Sequence, residues 1–182
     1  MSAAERYAMG LDFGTESVRA VLVGTGSGKT VGDAVVNYPH GVITDRLPGT
    51  NVRLRPDWAL QHPGDYLSCA SRAARRALRQ SGVRPERVCG VGISFTACTM
   101  LPTTADGTPL CWLDRYARRP NAWCKLWKHH ASQPQADRIN ELARKEGAGW
   151  LQRYGGVISS EWFLPKALQC LEEDPKVYHA AD

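Results

Sequence analysis

One run, Gly10-Leu11-Asp12-Phe13-Gly14-Thr15-Glu16-Ser17-Val18-Arg19-Ala20, constrains this chain more than any other. The apolar Tyr7-Ala8-Met9 before it reads as a short buried strand. The β-branched, apolar stretch from Val18 to Val23 reads as a second strand. Between the two lie an acid, a glycine and two hydroxyls. An acid at the C-terminal end of a strand can hold a hydrated divalent cation. A glycine there lets the backbone turn tightly and approach a ligand. Thr15 and Ser17 add hydroxyls, and the turn adds backbone N–H groups, for phosphate oxygens. The two-residue period of a strand predicts that Thr15, Ser17 and Arg19 project to one side. An ordinary hairpin with Asp-x-Gly as its turn chemistry is the plainer reading of the same residues.

A second glycine-rich stretch, Gly24-Thr25-Gly26-Ser27-Gly28-Lys29-Thr30, invites comparison with a P-loop. That pattern needs a glycine five positions before Gly28, where this chain has Val23. A P-loop must also open a helix, whereas the valine-rich residues 31–38 carry no helical signal. The cluster reads as the tip of a hairpin between the second and third strands.

Residues 39–62 read as a long loop, with His40 and His62 as packing or loop-capping residues and Asp57 to Pro63 leading into a helix. The spacing of Tyr66, Ala70, Ala73, Ala74, Ala77 and Leu78 predicts a helix from Pro63 to Ser81, stopped at Gly82. Arg72, Arg75, Arg76 and Arg79 fall on its solvated face. Val88 to Phe95 is expected as a buried strand. Its end, Ser94-Phe95-Thr96-Ala97-Cys98, stands where open sheets bind ligands. Small Ala97 leaves room for a ligand and offers backbone groups. Leu110 to Leu113 reads as a further strand and Asn121 to Ala131 as helical, so the adjacent His129 and His130 point apart rather than pairing on a metal. A helix from Gln133 has Ile139, Leu142 and Ala143 as its core stripe, ended by Gly147 and Gly149. A last helix is expected from about Glu161 to Glu173, capped by Ser159-Ser160, with Pro165 in its first turn.

The 182 residues suit one domain. The net charge of +5 comes from 23 basic and 18 acidic residues, and the excess is scattered arginine rather than a block, which argues against nucleic acid as partner. No apolar run reaches membrane-span length, and Met1-Ser2-Ala3-Ala4-Glu5-Arg6 lacks a signal-peptide core. The six cysteines form no C-x-x-C pair and read as unbridged, buried thiols of a reducing, cytoplasmic protein.

The opening run resembles the first phosphate motif of the FGGY sugar kinases, D-x-G-T-x-S-x-R, with Asp12, Gly14, Thr15, Ser17 and Arg19 all matching. The Asp12-Phe13-Gly14 triplet matches the protein-kinase DFG only by chance, since no glycine-rich loop, strand lysine or HRD accompanies it. Three further bands, Phe95 to Pro102, Leu126 to Ala131 and Arg153 to Trp162, look like the branch of the family that acts on L-ribulose. The resemblance implies an α/β, ribonuclease H-like domain of the actin and hexokinase type, with a mixed central sheet flanked by helices. It implies that residues 1–182 are the N-terminal part of the first kinase domain, with the rest of that domain and the second domain absent. It implies ATP- and Mg²⁺-dependent phosphorylation of the terminal hydroxyl of L-ribulose. Asp12, Gly14, Thr15, Ser17 and Arg19 would face the ATP phosphates, with Asp12 at the metal, and Thr96, Ala97 and Glu161 would contact the sugar.

The family usually carries an aspartate at the position of Ser94. Its catalytic aspartate is expected beyond Asp182, so Asp57, Asp106 and Asp114 read as loop or turn residues and the chain alone as inactive. A truncated domain should expose apolar surface and an unpaired sheet edge, favouring self-association or a homodimer. The alternatives are a non-enzymatic sugar- or nucleotide-binding module, a subunit completed by a second chain, or a kinase for another ketopentose such as D-ribulose.

Overall fold

The structure is a computed structural model that describes residues 5–182; Met1 to Ala4, the start of the segment read above as lacking a signal-peptide core, lie outside the described residues. The strands are β1 (Tyr7–Phe13), β2 (Ser17–Gly24), β3 (Thr30–Asn37), β4 (Leu60–Gln61), β5 (Val88–Phe95) and β6 (Cys124–Lys125). The helices are α1 (Pro63–Ser81), α2 (Asp114–Ala117), α3 (Gln133–Lys145), α4 (Phe163–Glu173) and α5 (Pro175–Tyr178). The chain divides into two units. The first comprises Met1–Gly41 and Pro63–Thr96, the second Val42–His62 and Ala97–Asp182.

The first unit is a four-stranded mixed sheet in the order β3-β2-β1-β5. Two antiparallel hairpins join β1 to β2 and β2 to β3, and β5 lies parallel to β1 with Phe13 opposite Phe95. The turn after β2 has Gly28 at φ 66, and no helix follows it, so the stretch is a hairpin tip as expected. Val18, Ala20 and Val36 pack against Cys69, Ala73 and Ala77 of α1. Alanines let the helix come close: a Cβ on Gly32 of β3 would lie 2.5 Å from the Ala77 carbonyl oxygen. Helix α1 runs over the residues its spacing predicts, ends at Gly82 with φ 67, and keeps its four arginines exposed. The His40 ring and backbone N–H both reach the Asp65 carboxylate, which ties the loop to the first turn of α1.

Strand β5 departs from expectation. It is not buried: Val91, Ile93 and Phe95 are 59%, 62% and 72% exposed. The reason is its place as the outer strand of the sheet, beyond the reach of α1, so an apolar face and an edge of the sheet are both open.

The second unit has little regular sheet. β4 pairs with β6, and single bridges Ile43↔Leu60 and Met100↔Lys125 extend that pair. Leu47, Trp58, Leu60, Leu110, Trp123 and Val177 fill its main core, and Ala143, Leu151 and Ile158 form a smaller one. His62 stacks edge-on to Trp123.

Several sequence expectations give way here. Leu110 to Leu113 is no strand: Leu110–Trp112 form a 3₁₀ turn after Pro109. Residues 121–131 are not helical, because Pro120–Ala122 make a 3₁₀ turn and β6 follows at once. In α3 the buried stripe is Gln135, Ala136, Asn140 and Ala143, while Leu142 is exposed. Asn140 takes the inside because its amide exchanges two hydrogen bonds with the Ile158 backbone, at 2.9 and 2.7 Å. Helix α4 starts at Phe163 rather than Glu161. Its flanking Trp162 makes no side-chain cap, and the Ser159 hydroxyl instead accepts from the Glu161 N–H. No disulfide joins the cysteines, as expected, but Cys89 and Cys98 are exposed rather than buried. No helix among the described residues is long and apolar enough to cross a membrane.

Candidate functional site

The turn between β1 and β2 builds the candidate site. The Gly14 N–H donates to the Ser17 carbonyl at 2.9 Å and closes the turn. A Cβ on Gly14 would stand 3.3 Å from that same oxygen, so a larger residue would crowd the closure. The Tyr38 N–H donates to the Glu16 carbonyl at 2.8 Å and holds the turn to the end of β3. On the neighbouring strand the Thr96 N–H donates to the Phe13 carbonyl at 3.2 Å, carrying the parallel ladder one step past β5. The carboxyl ends of β1 and β5 therefore lie side by side.

An open pocket of about 580 Å³ occupies this end of the sheet, lined by Asp12, Gly14, Thr15, Ser17, Arg19 and Thr96, among others. Five residues of the opening motif and one predicted sugar residue thus share a pocket. Ser17 is nearly buried, whereas Arg19 is well exposed. Asp12 and Arg19 stand opposite each other in the β1–β2 register, and Arg19 Nη1 lies 3.2 Å from Asp12 Oδ2. With side chains 63% and 45% exposed, that pair is solvent-screened and easily parted. Across the parallel ladder Asp12 stands opposite Ser94, whose hydroxyl adds no second charge beside the carboxylate.

Ala97 and Glu161 belong to the second unit. Ala97 precedes Cys98, a non-glycine residue in the left-handed region at φ 58. Glu161 lies two residues before α4, with Oε1 3.6 Å from His130 Nε2. Asp57 and Asp106 sit in turns and Asp114 opens α2, as read from the sequence. Thr104 and the Thr108 N–H both bond the Asp106 carboxylate and hold its pKa below the usual range.

Sequence reasoning missed a buried polar cluster in the second unit. Lys125, His129, Lys166 and Gln169 are fully or almost fully enclosed. Lys166 Nζ donates to the carbonyls of Cys98 at 2.8 Å, Leu126 at 2.7 Å and Trp127 at 3.3 Å. Lys125 Nζ donates to Asn121 Oδ1 at 2.5 Å. Burial pushes both lysines down to about 8, so each is an ammonium at neutral pH. His129 Nδ1 accepts from the Ala59 N–H at 3.4 Å, which leaves Nε2–H to donate to Gln169 Oε1 at 2.9 Å. Burial pushes its pKa down to about 3, keeping it neutral. The available signal was Lys166 and Gln169 at i and i+3 among apolar residues of α4. That helix buries the polar pair and leaves Phe163 and Leu164 57% exposed.

The chain matches no protein-family model. It is 53% identical over 178 residues, 98% of its length, to the ribulokinase of Anoxybacillus flavithermus. It is 54% identical over 180 residues to that of Mycolicibacterium smegmatis. It spans about a third of these relatives, 31% and 32% of their lengths. Among solved structures, 97% of the chain superposes on 31% of a xylulose kinase from Rhodospirillum rubrum, with a TM-score of 0.73 at 18% identity. At that identity the likeness speaks for the fold, an α/β mixed sheet flanked by helices like that of the sugar kinases.

Proposed function

We propose that this chain, a relative of the ribulokinases along nearly its whole length, carries the phosphate-facing turn and part of the sugar site of a ketopentose kinase. The reaction is transfer of the terminal phosphoryl group of ATP to the terminal hydroxyl of L-ribulose. A new oxygen–phosphorus bond forms, the bond to the ADP oxygen breaks, and the hydroxyl proton passes to a base. None of Asp57, Asp106 and Asp114 is assigned that base, since each serves a turn or a helix start.

The observation that carries this reading is the pocket at the carboxyl ends of β1 and β5, where Asp12, Thr15, Ser17, Arg19 and Thr96 converge. Strand ends of open α/β sheets are where such ligands bind. Gly14 and its neighbours bring backbone close to phosphate oxygens, Thr15 and Ser17 offer hydroxyls, and Arg19 offers positive charge. The donors are hard oxygens, which fits Mg²⁺, and Asp12 would hold it through bound water. The cation, when bound, supplies charge neutralisation on the phosphates. Asp12 would then part from Arg19, whose guanidinium could meet phosphate. Thr96, Ala97 and Glu161 are assigned to the sugar. A carboxylate such as that of Glu161 accepts hydroxyl hydrogens, and the Ala97 backbone can do the same. Phosphoryl transfer depends on positioning and electrostatics, so the remaining two thirds of a relative's length would complete the site, in one chain or as a partner. The setting fits a cytoplasmic enzyme of sugar catabolism.

The test is a coupled kinase assay on this chain with L-ribulose, ATP and Mg²⁺, beside calorimetric titration of L-ribulose and D-ribulose. Binding of L-ribulose without turnover supports a partial site. Turnover would overturn the assignment of the base elsewhere. Tighter binding of D-ribulose would shift the substrate to that sugar. Binding of ATP that is unaffected by Asp12→Asn or by removal of Mg²⁺ would sink the phosphate-site reading.

A further inference from the structure

We propose that Lys166 is the positioning residue of the sugar site: its buried ammonium holds the Ala97–Thr99 backbone in the one conformation that can meet a ketose. This rests on the assignment of Ala97 and Glu161 to the sugar made above.

The Ala97–Thr99 stretch has no ladder of its own. It turns between the end of β5 and the Met100↔Lys125 bridge, and Cys98 sits at φ 58. A left-handed residue with a Cβ is held only where its surroundings over-determine it, at a strain of about 1 kcal/mol. Side-chain contacts supply that hold. The Thr99 hydroxyl accepts from the Trp127 N–H at 3.2 Å. The stronger is Lys166, which reaches the Cys98 carbonyl, the peptide oxygen next in chain to Ala97, and clamps it to the carbonyls of Leu126 and Trp127. An ammonium has three protons, and three carbonyls receive them. No neutral side chain can serve three acceptors from one atom. The side chain is completely enclosed, so water cannot substitute for it.

The second link runs to Glu161. Burial is the main pull on the Lys166 ammonium, and the negative charge of Glu161 is one of several that oppose it. Lys166 therefore bears on both predicted sugar residues of the second unit without meeting the sugar. It holds the Cys98 carbonyl, one residue after Ala97, through a hydrogen bond and feels the charge of Glu161.

The experiment compares the parent chain with Lys166→Met and the milder Lys166→Gln by amide hydrogen exchange and by L-ribulose calorimetry. Lys166→Met is expected to speed exchange at residues 97–99 about tenfold or more, the size of losing charge-assisted hydrogen bonds. Lys166→Gln, which keeps one or two donors, should give a smaller effect and covers the case in which the methionine variant fails to fold. Amides of α1, β1 and α3 should stay within about twofold of the parent, and L-ribulose should bind about tenfold more weakly. Unchanged exchange at 97–99, or equal acceleration throughout the second unit, would overturn the proposal. So would local loosening with undiminished L-ribulose affinity. If the parent itself binds no L-ribulose, the sugar reading falls. The exchange comparison then still decides whether Lys166 positions this backbone.

Discussion

The two units solve the same problem in opposite ways. In the first, four long strands and one helix pair most backbone groups regularly, so the interior can be filled largely by small apolar side chains: Val18, Ala20, Val36, Cys69, Ala73 and Ala77. In the second, paired strands are only two residues long and 3₁₀ turns are frequent. Carbonyls and amides left over by such irregular chain must be paired by side chains. Lys166, Asn140, Gln169 and His129 do this from inside. The price is buried charge, and the gain is a loop conformation that a plain apolar core would not hold. Regular structure here needs small apolar residues, and irregular structure needs polar ones.

The contrast can be probed unit by unit, since all six tryptophans, Trp58, Trp112, Trp123, Trp127, Trp150 and Trp162, lie in the second. The largest expected effect is acid loss of that unit. His129 is neutral when folded, with its pKa lowered to about 3, so the unfolded chain binds the extra proton between pH 6.5 and 3. Stability falls as pH drops through that window, by about 5 kcal/mol across it at about 1.4 kcal/mol per pH unit. Urea titrations followed by tryptophan fluorescence should show this slope, and His129→Gln should flatten it. An unchanged slope in the variant would remove His129 as its cause.

In the first unit the corresponding weak point is steric. Gly32→Ala should cost about 2–3 kcal/mol by forcing the Ala77 backbone away from β3. Exchange protection in α1 should fall while tryptophan fluorescence in urea stays nearly unchanged. A shared loss would show that the two units unfold as one.

A smaller effect is expected at the pocket. Ser94→Asp sets a second carboxylate across the ladder from Asp12, and Mg²⁺ affinity should rise about tenfold, read by calorimetry. No gain would separate Ser94 from the cation. The smallest effect concerns the open strand. Ile93→Thr with Phe95→Thr should change stability by about 0.5 kcal/mol or less, because both side chains are already in water. Sedimentation should show less self-association. Unchanged association would place its cause elsewhere than on β5.

How much of this was legible in the sequence follows the same division. β1, β2, β3, α1 and β5 stand where periodicity and glycine punctuation put them, because local pattern and ladder agree. The turn motif from Asp12 to Arg19 was readable for the same reason, although the Asp12–Arg19 pairing was not, since register comes only with the hairpin. In the second unit, apolar residues at 110–113 and 121–131 gave false strand and helix signals. Their neighbours, Pro109 and Pro120, set 3₁₀ turns instead. The burial of Lys166, Gln169 and Asn140 was hidden because hydrophobicity puts such residues outside. Only the orphaned carbonyls of distant segments draw them in, and those cannot be seen from α4 or α3 alone. The exposure of β5 was equally invisible, for an edge strand and a central one can share the same apolar run.

The interleaving of the units has a bearing on synthesis. Residues 1–96 contain every element of the sheet unit, so that unit can form while the chain is still emerging from the ribosome, as domains commonly do. The excursion 42–62 is made early too, yet β4 must wait for β6, more than sixty residues later, before Leu60 and Gln61 find their partners. For that interval Trp58 and Leu60, later among the most enclosed side chains, have no core to enter. The segment between β3 and α1 is therefore where a nascent chain would first engage a chaperone.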